Sequence, residues 1–284
     1  MWQWDTTTDD LWGDSRANSG GGVWYAVSVD DAGQLYFGTG NPGPFPGTPG
    51  NPNSGSRPGN NLYTNSLVAF DPVAGAVRWY QQPRSRDIFD LDYQNTPVVT
   101  SITSHGREIP AVIGSGKNGH VIAVNRETGN LIWNTLVGKH QNDELEELPD
   151  DEYIEVFPGF NGAVQCPIAV SNGRVFVAVN NWPTWYNSTG LDFSRIDESQ
   201  SSGEFLCLDA NTGDVLWQHT TPALPLGSAA VANDVVISAG TVSYAATRPR
   251  MAPSSGTSSY TVASMLRSRS RATCCSLAQA VRSW

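Results

Sequence analysis

Lysine is almost missing from this chain of 284 residues: Lys117 and Lys139 are the only two. Charged residues of either sign make up just 15% of the chain, and their balance is −10 at pH 7. That excludes the basic face a nucleic-acid partner requires. Long apolar runs are also missing, so no stretch approaches the roughly 20 residues that a membrane-spanning helix needs. Nor does any segment carry the 3.6-residue periodicity of an amphipathic helix. There are four cysteines. Cys166 and Cys207 have no metal-like or disulfide-like spacing and read as buried structural thiols. No Cys-x-x-Cys-His occurs, so a c-type haem has no attachment point in this chain. A basic-then-apolar targeting signal is likewise not visible at the start. Met1-Trp-Gln-Trp4 reads instead as the closing end of an earlier structural unit, with Met1 an internal start.

Glycine, proline and tryptophan are abundant, and they are ordered. Asp71-Pro-Val-Ala-Gly75-Ala-Val-Arg-Trp79 is echoed by Asn125-Arg-Glu-Thr-Gly129-Asn-Leu-Ile-Trp133 and by Asp209-Ala-Asn-Thr-Gly213-Asp-Val-Leu-Trp217. In each, Gly lies four places and Trp eight places after the Asp or Asn. An alternating apolar run precedes each one: Ser66–Phe70, Gly119–Val124 and Glu204–Leu208. The unit is therefore strand, glycine turn, strand closed by tryptophan, which is how a β-propeller blade is built. Glycine supplies the positive φ of the tight turn, and the indole can cover the joint between neighbouring sheets. At roughly 40–50 residues per blade, with long inserts between repeats, the chain holds about four blades.

The text changes near Ser243. All 27 Asp and Glu residues precede it, while six of the 17 Lys and Arg residues follow it. The blade that begins at Asp234-Val-Val-Ile-Ser-Ala-Gly240 never reaches its Asp-Gly-Trp ending. Back-translating Ala246–Ser258 in a shifted frame permits a blade-like ending followed by a new blade start. Residues 1–242 are thus expected to be propeller, and 243–284 an out-of-frame reading or a basic disordered tail.

A second set of motifs carries a family resemblance. In order they are Gly20-Gly-Gly-Val-Trp24, Leu35-Tyr-Phe-Gly-Thr-Gly-Asn-Pro-Gly-Pro44, Asn61-Leu-Tyr-Thr-Asn-Ser-Leu-Val-Ala-Phe-Asp71, Asp87-Ile-Phe-Asp90-Leu-Asp92 and Gly116-Lys117-Asn-Gly119. As an ordered set this resembles the pyrroloquinoline quinone (PQQ) alcohol dehydrogenases and their polyvinyl-alcohol-dehydrogenase-like relatives. The resemblance covers roughly residues 4–242 and implies an all-β partial propeller, a fragment from the middle of an eight-bladed ring.

It also implies roles for particular residues. Trp24 falls where the family has the indole that forms a floor under the quinone, stacking on a planar cofactor and excluding water from one face. Asn41 matches the amide ligand of the family's metal ion, calcium or a lanthanide, since a hard cation prefers oxygen donors. Asp90 matches the carboxylate that neighbours the metal and takes the alcohol proton. Asp92, two places on, would point the same way in an extended segment and could converge on the same ion; the lanthanide-using branch has an extra Asp at this offset. Lys117 corresponds to a cation that hydrogen-bonds the quinone oxygens. Asn180, or its neighbour Asn181, lies near a further cofactor contact, and Trp182 and Trp185 could wall a substrate funnel. The acidic stretch after His140-Gln-Asn-Asp143 reads as a solvated insert without assigned chemistry.

The family's further metal-binding Glu and several quinone contacts lie upstream of the position of Trp24, and no match to them is visible here. The chain alone is therefore expected not to turn over. The vicinal pair Cys274-Cys275 resembles a disulfide of some quinoproteins but stands in the wrong part of the chain, so it is set aside. The resemblance implies a small alcohol or polyol substrate, a separate cytochrome or other electron acceptor, and an extracytoplasmic location. The competing reading is a non-catalytic scaffold, like the outer-membrane assembly lipoproteins that share the Trp-terminated repeat; a damaged gene without function is a third. Asn41, Asp90 and Lys117 in this order argue for the enzyme, because a scaffold needs no inward carboxylate and cation.

Overall fold

In a computed structural model, the structure describes residues 3–7, 10–104, 106–222, 224–232, 235–239, 243–247 and 263–266. It is all-β, with four four-stranded antiparallel sheets that follow one another along the chain. The first blade contains Ser28–Val29, Leu35–Gly38, Leu67–Asp71 and Ala76–Gln81. The second contains Val98–Ser104, Arg107–Ser115, His120–Asn125 and Leu131–Leu136. Ala169–Ser171, Arg174–Asn181, Ser202–Asp209 and Val215–Thr221 form the third. Ala230–Ala232, Val235–Ala239, Ser243–Thr247 and Ala263–Leu266 form the fourth. The backbone of the last two strands thus completes the fourth sheet. The Cys274-Cys275 pair and most of the chain beyond residue 247 lie outside the described residues.

The three sequence repeats fold identically, for reasons visible in their side chains. The leading Asp or Asn turns its carboxylate or amide oxygen back onto the turn. Asp71 accepts from the amides of Val73 and Ala74, Asn125 from Glu127 and Thr128, and Asp209 from Asn211. The glycine amide then returns to the carbonyl of the same Asp or Asn at 2.8 Å in all three. Gly75, Gly129 and Gly213 take φ of 68°, 73° and 78° there, a conformation that disfavours any side chain. Each outgoing strand carries one extra residue just before its tryptophan (Arg78, Ile132 and Leu216), so every repeat has a β-bulge that turns the indole.

The indoles fasten blade to blade. Trp79 Nε1 donates to the carbonyl of Arg126 at 2.9 Å, and Trp133 Nε1 donates to that of Ala210 at 3.0 Å. Two residues later, Gln81 and Thr135 donate to the carbonyls of Gly129 and Gly213, both at 2.7 Å. Each bond therefore joins one blade to the turn of the next. Around these joints the apolar faces interlock: Tyr36, Leu67, Ala69 and Trp79 of the first blade pack on Val112, Ile122 and Val124 of the second. A larger cluster joins the second blade to the third. Burial of each such aliphatic side chain stabilises the joint by about 1.5–3 kcal/mol. Trp4, expected at the end of an earlier blade, packs on Phe37, Tyr63 and Phe70 of the first.

Because each blade is an up-and-down meander, the connections between second and third strands leave from the same end as those between blades. That end is polar and carries the long inserts. The insert after the second blade is not simply solvated: Leu148 and Val156 are buried with Ile88, Phe89 and Leu91. Ile154–Val156 also pairs with Thr184–Asn187 in a separate small sheet, while residues 144–147 and 149–152 stay exposed.

Candidate cofactor and metal site

Glycines let three loops meet at the polar end. A Cβ on Gly38 would lie 2.1 Å from the carbonyl oxygen of Tyr93, and one on Gly116 would lie 2.3 Å from that of Asp92. No larger residue fits either place. The backbone joins the loops: Tyr93 N donates to Thr39 O at 3.1 Å and Lys117 N to Asp92 O at 2.7 Å. The 36–41 segment, the 87–95 segment and the 114–119 segment are thereby held edge to edge. The glycines around Lys117 accommodate the Asp92 segment.

At this junction Lys117, Asp90 and Asp92 form a buried triad. Lys117 Nζ donates to Asp90 Oδ2 at 2.8 Å and also contacts Asp92 Oδ2. The amide of Asn41 donates to Asp92 Oδ1, and the Asn41 side-chain nitrogen donates to the Pro42 carbonyl at 3.2 Å. Trp24 stands beside them, with the Lys117 ammonium 5.7 Å from its ring centroid. Unlike Trp79 and Trp133, which are each 8% exposed, Trp24 is 58% exposed. Its face is open, not packed into a blade. A Cβ on Gly40 would come within 3.0 Å of Asp92 Oδ1 and 3.2 Å of Trp24 Nε1, so this glycine lets carboxylate and indole approach each other.

Five of the six singled-out residues therefore meet at one place. Asp90 and Asp92 converge, but not by strand alternation, because Asp90 has φ 64° and the segment is not extended. Asn180 stands apart from the triad. It lies in the third blade, bridges to Ala163, and donates weakly to the Asn161 carbonyl at 3.4 Å. Its Oδ1 is buried and without a hydrogen-bond partner. Val164, next to Ala163, donates to the Gly116 carbonyl at 3.3 Å, which links Asn180 to the lysine loop one step removed. Asn181 is already engaged by the Lys139 amide and Glu204. Trp185 and Tyr153 both lie beside the Arg195 guanidinium. Cys207 is buried as expected, whereas Cys166 is half-exposed, with its thiol on the Leu226 carbonyl.

The charge balance of the triad decides what it can hold. Burial raises the pKa of Asp90, further lifted by neighbouring Asp92 against the pull of Lys117. Burial likewise raises Asp92. Burial disfavours the Lys117 ammonium, but Asp92 and Asp90 outweigh it and raise the lysine, which stays charged. One ammonium between two buried carboxylates leaves one negative charge in excess, and low-dielectric surroundings require a proton or a cation to balance it. Two carboxylates with a carboxamide alongside are oxygen donors of the type a hard cation takes. Among the described residues no third His, Cys, Asp or Glu joins them in a metal-binding cluster. The donor set therefore fits a hard cation in kind and charge, and the open indole beside it fits a flat, unsaturated ligand.

A shell of buried polar residues that sequence reasoning did not single out supports the triad. Arg57, fully buried, donates to the Pro44 carbonyl and to the carbonyl of Asp87. Burial lowers its pKa to about 10. Gln94 and Asn95 reach the carbonyls of Gln165 and Val164 at 3.1 and 2.9 Å. Tyr186 donates its hydroxyl to the Phe89 carbonyl at 2.7 Å. The available signal was compositional: between Asn41 and Ser66 the text is dense in Asn, Ser, Gly and Pro yet contains only one charge, Arg57.

The comparisons with known proteins agree with this architecture. Residues 1–143 match the family described as PQQ, glucose/ethanol/alcohol dehydrogenase, β-propeller domain. Residues 117–248 match a second PQQ-type family described as outer membrane protein assembly factor BamB. The chain is 26% identical over 275 residues to a quinoprotein ethanol dehydrogenase of Pseudomonas putida, covering 81% of this chain and 43% of that protein. It is also 26% identical over 234 residues to a lanthanide-dependent methanol dehydrogenase of Methylacidiphilum fumariolicum, covering 70% and 37%. The solved structure of a europium-containing methanol dehydrogenase superposes with a TM-score of 0.66 at 23% identity, over 81% of this chain and 45% of the other. The chain thus spans less than half the length of these relatives. Its Trp-closed blades and the family match over half of its residues agree: the chain belongs to the PQQ dehydrogenase β-propeller family.

Proposed function

We propose that this chain is the part of a PQQ-dependent alcohol dehydrogenase that carries the floor of the quinone site and the carboxylates beside it. The observation that carries the reading is the buried Lys117–Asp90–Asp92 triad against an exposed indole. A propeller that serves only as a binding scaffold has no need to bury three charges among its connecting loops. The match of residues 117–248 to the assembly-factor family keeps that scaffold as the second reading.

In the proposed site Asp90, Asp92 and Asn41 would hold a calcium or lanthanide ion, and Trp24, Lys117 and Asn180 would hold PQQ. The bound quinone supplies the acceptor for the hydride, or its equivalent, of an alcohol, with the metal ion as Lewis acid at its carbonyl. Trp24 offers a flat apolar face that excludes water. Lys117 donates hydrogen bonds from a fixed ammonium, its position set by two carboxylates. Asp90, with its pKa raised by burial, is suited to accept the hydroxyl proton of a small alcohol or polyol near neutral pH. Asn180 contributes a buried amide oxygen that still lacks a donor. Electrons would leave to a separate cytochrome or other acceptor, in an extracytoplasmic compartment. With only two carboxylates at the site among the described residues, the chain by itself binds and does not turn over.

The test is binding and turnover measured side by side. Purified chain is titrated with PQQ in the presence of calcium or lanthanum ions, following quenching of tryptophan fluorescence, and is then supplied with ethanol and a redox dye. Saturable quenching that is lost in Trp24→Ala, without dye reduction, is the expected result. Quenching that survives Trp24→Ala and Asp90→Asn together would transfer the chain to the scaffold reading.

A further inference from the structure

We infer that Asp87 is a positioning residue for Asp90: its buried carboxylate locks the turn that aims Asp90 at Lys117. The inference rests on the reading above that Asp90 works at the site. Asp87 is 1% exposed, and both of its oxygens are engaged. Oδ1 accepts from the amide of Phe89 at 2.8 Å, and Oδ2 accepts from the amide of Leu91 at 2.6 Å and from Asn65 Nδ2 at 3.1 Å. The two amides held by one carboxylate flank Asp90 on either side. Between them Asp90 takes φ 64°, a left-handed conformation that Asp enters more readily than most L-residues but still at a cost in free energy.

Charge-assisted bonds from amides to a carboxylate are among the stronger ones a loop can make. They supply what Asp90 cannot supply for itself, since its own Oδ2 is committed to the lysine. No hydrogen bond or ion pair joins Asp87 to Lys117, Asp92 or Trp24. Its charged neighbours are Arg84, whose Nε lies 3.6 Å from Oδ1, Arg57 on its carbonyl, and the carboxylates of Asp90 and Asp92, whose pKa values its charge helps to raise. The carbonyl side of the turn is held independently, by Arg57 on Asp87 and by Tyr186 on Phe89. Removing the Asp87 carboxylate therefore frees the amides of Phe89 and Leu91 while leaving these anchors in place. The turn can then relax toward negative φ, carrying the Asp90 carboxylate away from the ammonium.

The experiment is a double-mutant cycle on the whole chain, with Asp87→Asn and Asp90→Asn alone and combined. Calcium and lanthanum ions are titrated in the presence of PQQ by calorimetry, and amide hydrogen exchange is followed at Phe89 and Leu91. Loss of an outer partner of a ligating group characteristically weakens metal binding about 10–100-fold. Asp87→Asn is expected to fall in that range and to accelerate exchange at whichever of the two amides faces the new Nδ2, since Asn keeps only one acceptor oxygen. In the Asp90→Asn background it should add less than about twofold, because contacts acting through one residue are not additive. A purely structural role would weaken binding by the same factor in both backgrounds, and that result overturns the inference. If Asp90→Asn alone leaves cation binding unchanged, the reading of Asp90 falls first and the positioning role falls with it. If Asp90→Asn weakens binding while Asp87→Asn does not, only the positioning role falls. Should Asp87→Asn fail to fold, Asn65→Gly, which removes a single donor to the same oxygen and tolerates the φ of 49° at that position, takes its place. Faster exchange at Leu91 than at Phe89 then supports the inference, and unchanged exchange at both overturns it.

Discussion

Replacing Gly129 by alanine probes the joint between the first two blades directly. Gly129 has φ 73°, and a Cβ there would lie 2.6 Å from Cγ and 2.8 Å from Cβ and Cδ2 of Trp79. Two penalties add. Holding an alanine in the left-handed region costs about 1–2 kcal/mol. Forcing a methyl group into a filled joint costs a further 1–3 kcal/mol or so, since Trp79 is held by its bond to the Arg126 carbonyl and cannot simply retreat. Gly173 provides the control: its φ is 69°, but a Cβ there meets nothing within 4 Å. Gly173→Ala should therefore lose only the conformational part. Thermal unfolding followed by tryptophan fluorescence, at roughly 2–4 °C per kcal/mol for a domain of this size, should place Gly129→Ala well below Gly173→Ala. Gly213→Ala should match Gly129→Ala, because its Cβ would lie 2.8 Å from the Trp133 ring and 2.7 Å from Thr135 Oγ1. If all three variants lose the same stability, the indoles do not close on the next blade's turn as described, and the account of the repeat fails.

Three further outcomes are expected. Trp133→Phe leaves the Ala210 carbonyl without its donor, which should destabilise the chain by about 1–3 kcal/mol in urea unfolding. Lys117→Met strips the ammonium from two buried carboxylates, and breaking a buried pair in this way costs about 3–5 kcal/mol at neutral pH; urea unfolding at pH 7 reads the loss, and an unaffected midpoint would contradict the triad. Burial alone would lower the pKa of His140, but its 2.8 Å bond to Asp143 outweighs that and raises it. The protonated pair therefore stabilises the fold fully below the unfolded value of 6.5 and loses that contribution as pH rises through the higher folded value. Wild type should accordingly surpass His140→Asn in melting temperature at pH 6, with the gap closing above neutrality.

The repeat made most of the fold legible, because each of its residues has a local duty that needs no knowledge of the rest of the chain. Asp71 and its equivalents bind their own turn, the glycines take positive φ, and the tryptophans close the joint. The bulge before each indole was not visible, since Arg78, Ile132 and Leu216 share no chemistry that marks an extra residue. Charges dominate the text of the insert after His140 and mark it as solvated. Leu148 and Val156 bury against Ile88, Phe89, Leu91 and Tyr186, which lie elsewhere in the sequence. Trp182 and Trp185 looked like funnel walls because aromatic side chains in an insert can serve any partner. Trp185 has the Arg195 guanidinium 5.7 Å from its ring centroid. For the stretch from Ser243, we propose that it is read out of frame; resequencing that DNA should restore an Asp-Gly-Trp ending, and a sequence identical to the present one would dispose of the idea.

The site shows how the type of a residue can be legible when its geometry is not. Asp90 and Asp92 were expected to converge because alternate residues of an extended strand share a face. They do converge, on the Lys117 ammonium, although at Asp90 the backbone is left-handed. Strand alternation fixes only direction, and would have let both carboxylates drift with any slip in register. A turn clamped by Asp87 at its amides, and by Arg57 and Tyr186 at its carbonyls, fixes position as well. Those clamps come from chain positions some 30 residues before Asp87 and almost 100 after it, which is why no local window of sequence contains them. The same distance makes the arrangement sensitive: each clamp arrives with a different blade connection, so the aim of Asp90 depends on the blades keeping their spacing. The tryptophan joints and the triad are therefore mechanically linked, and Gly129→Ala should loosen exchange protection at Phe89 and Leu91 as well as lower the melting temperature. Protection unchanged in that variant would show that the turn holds its shape without the blade joint.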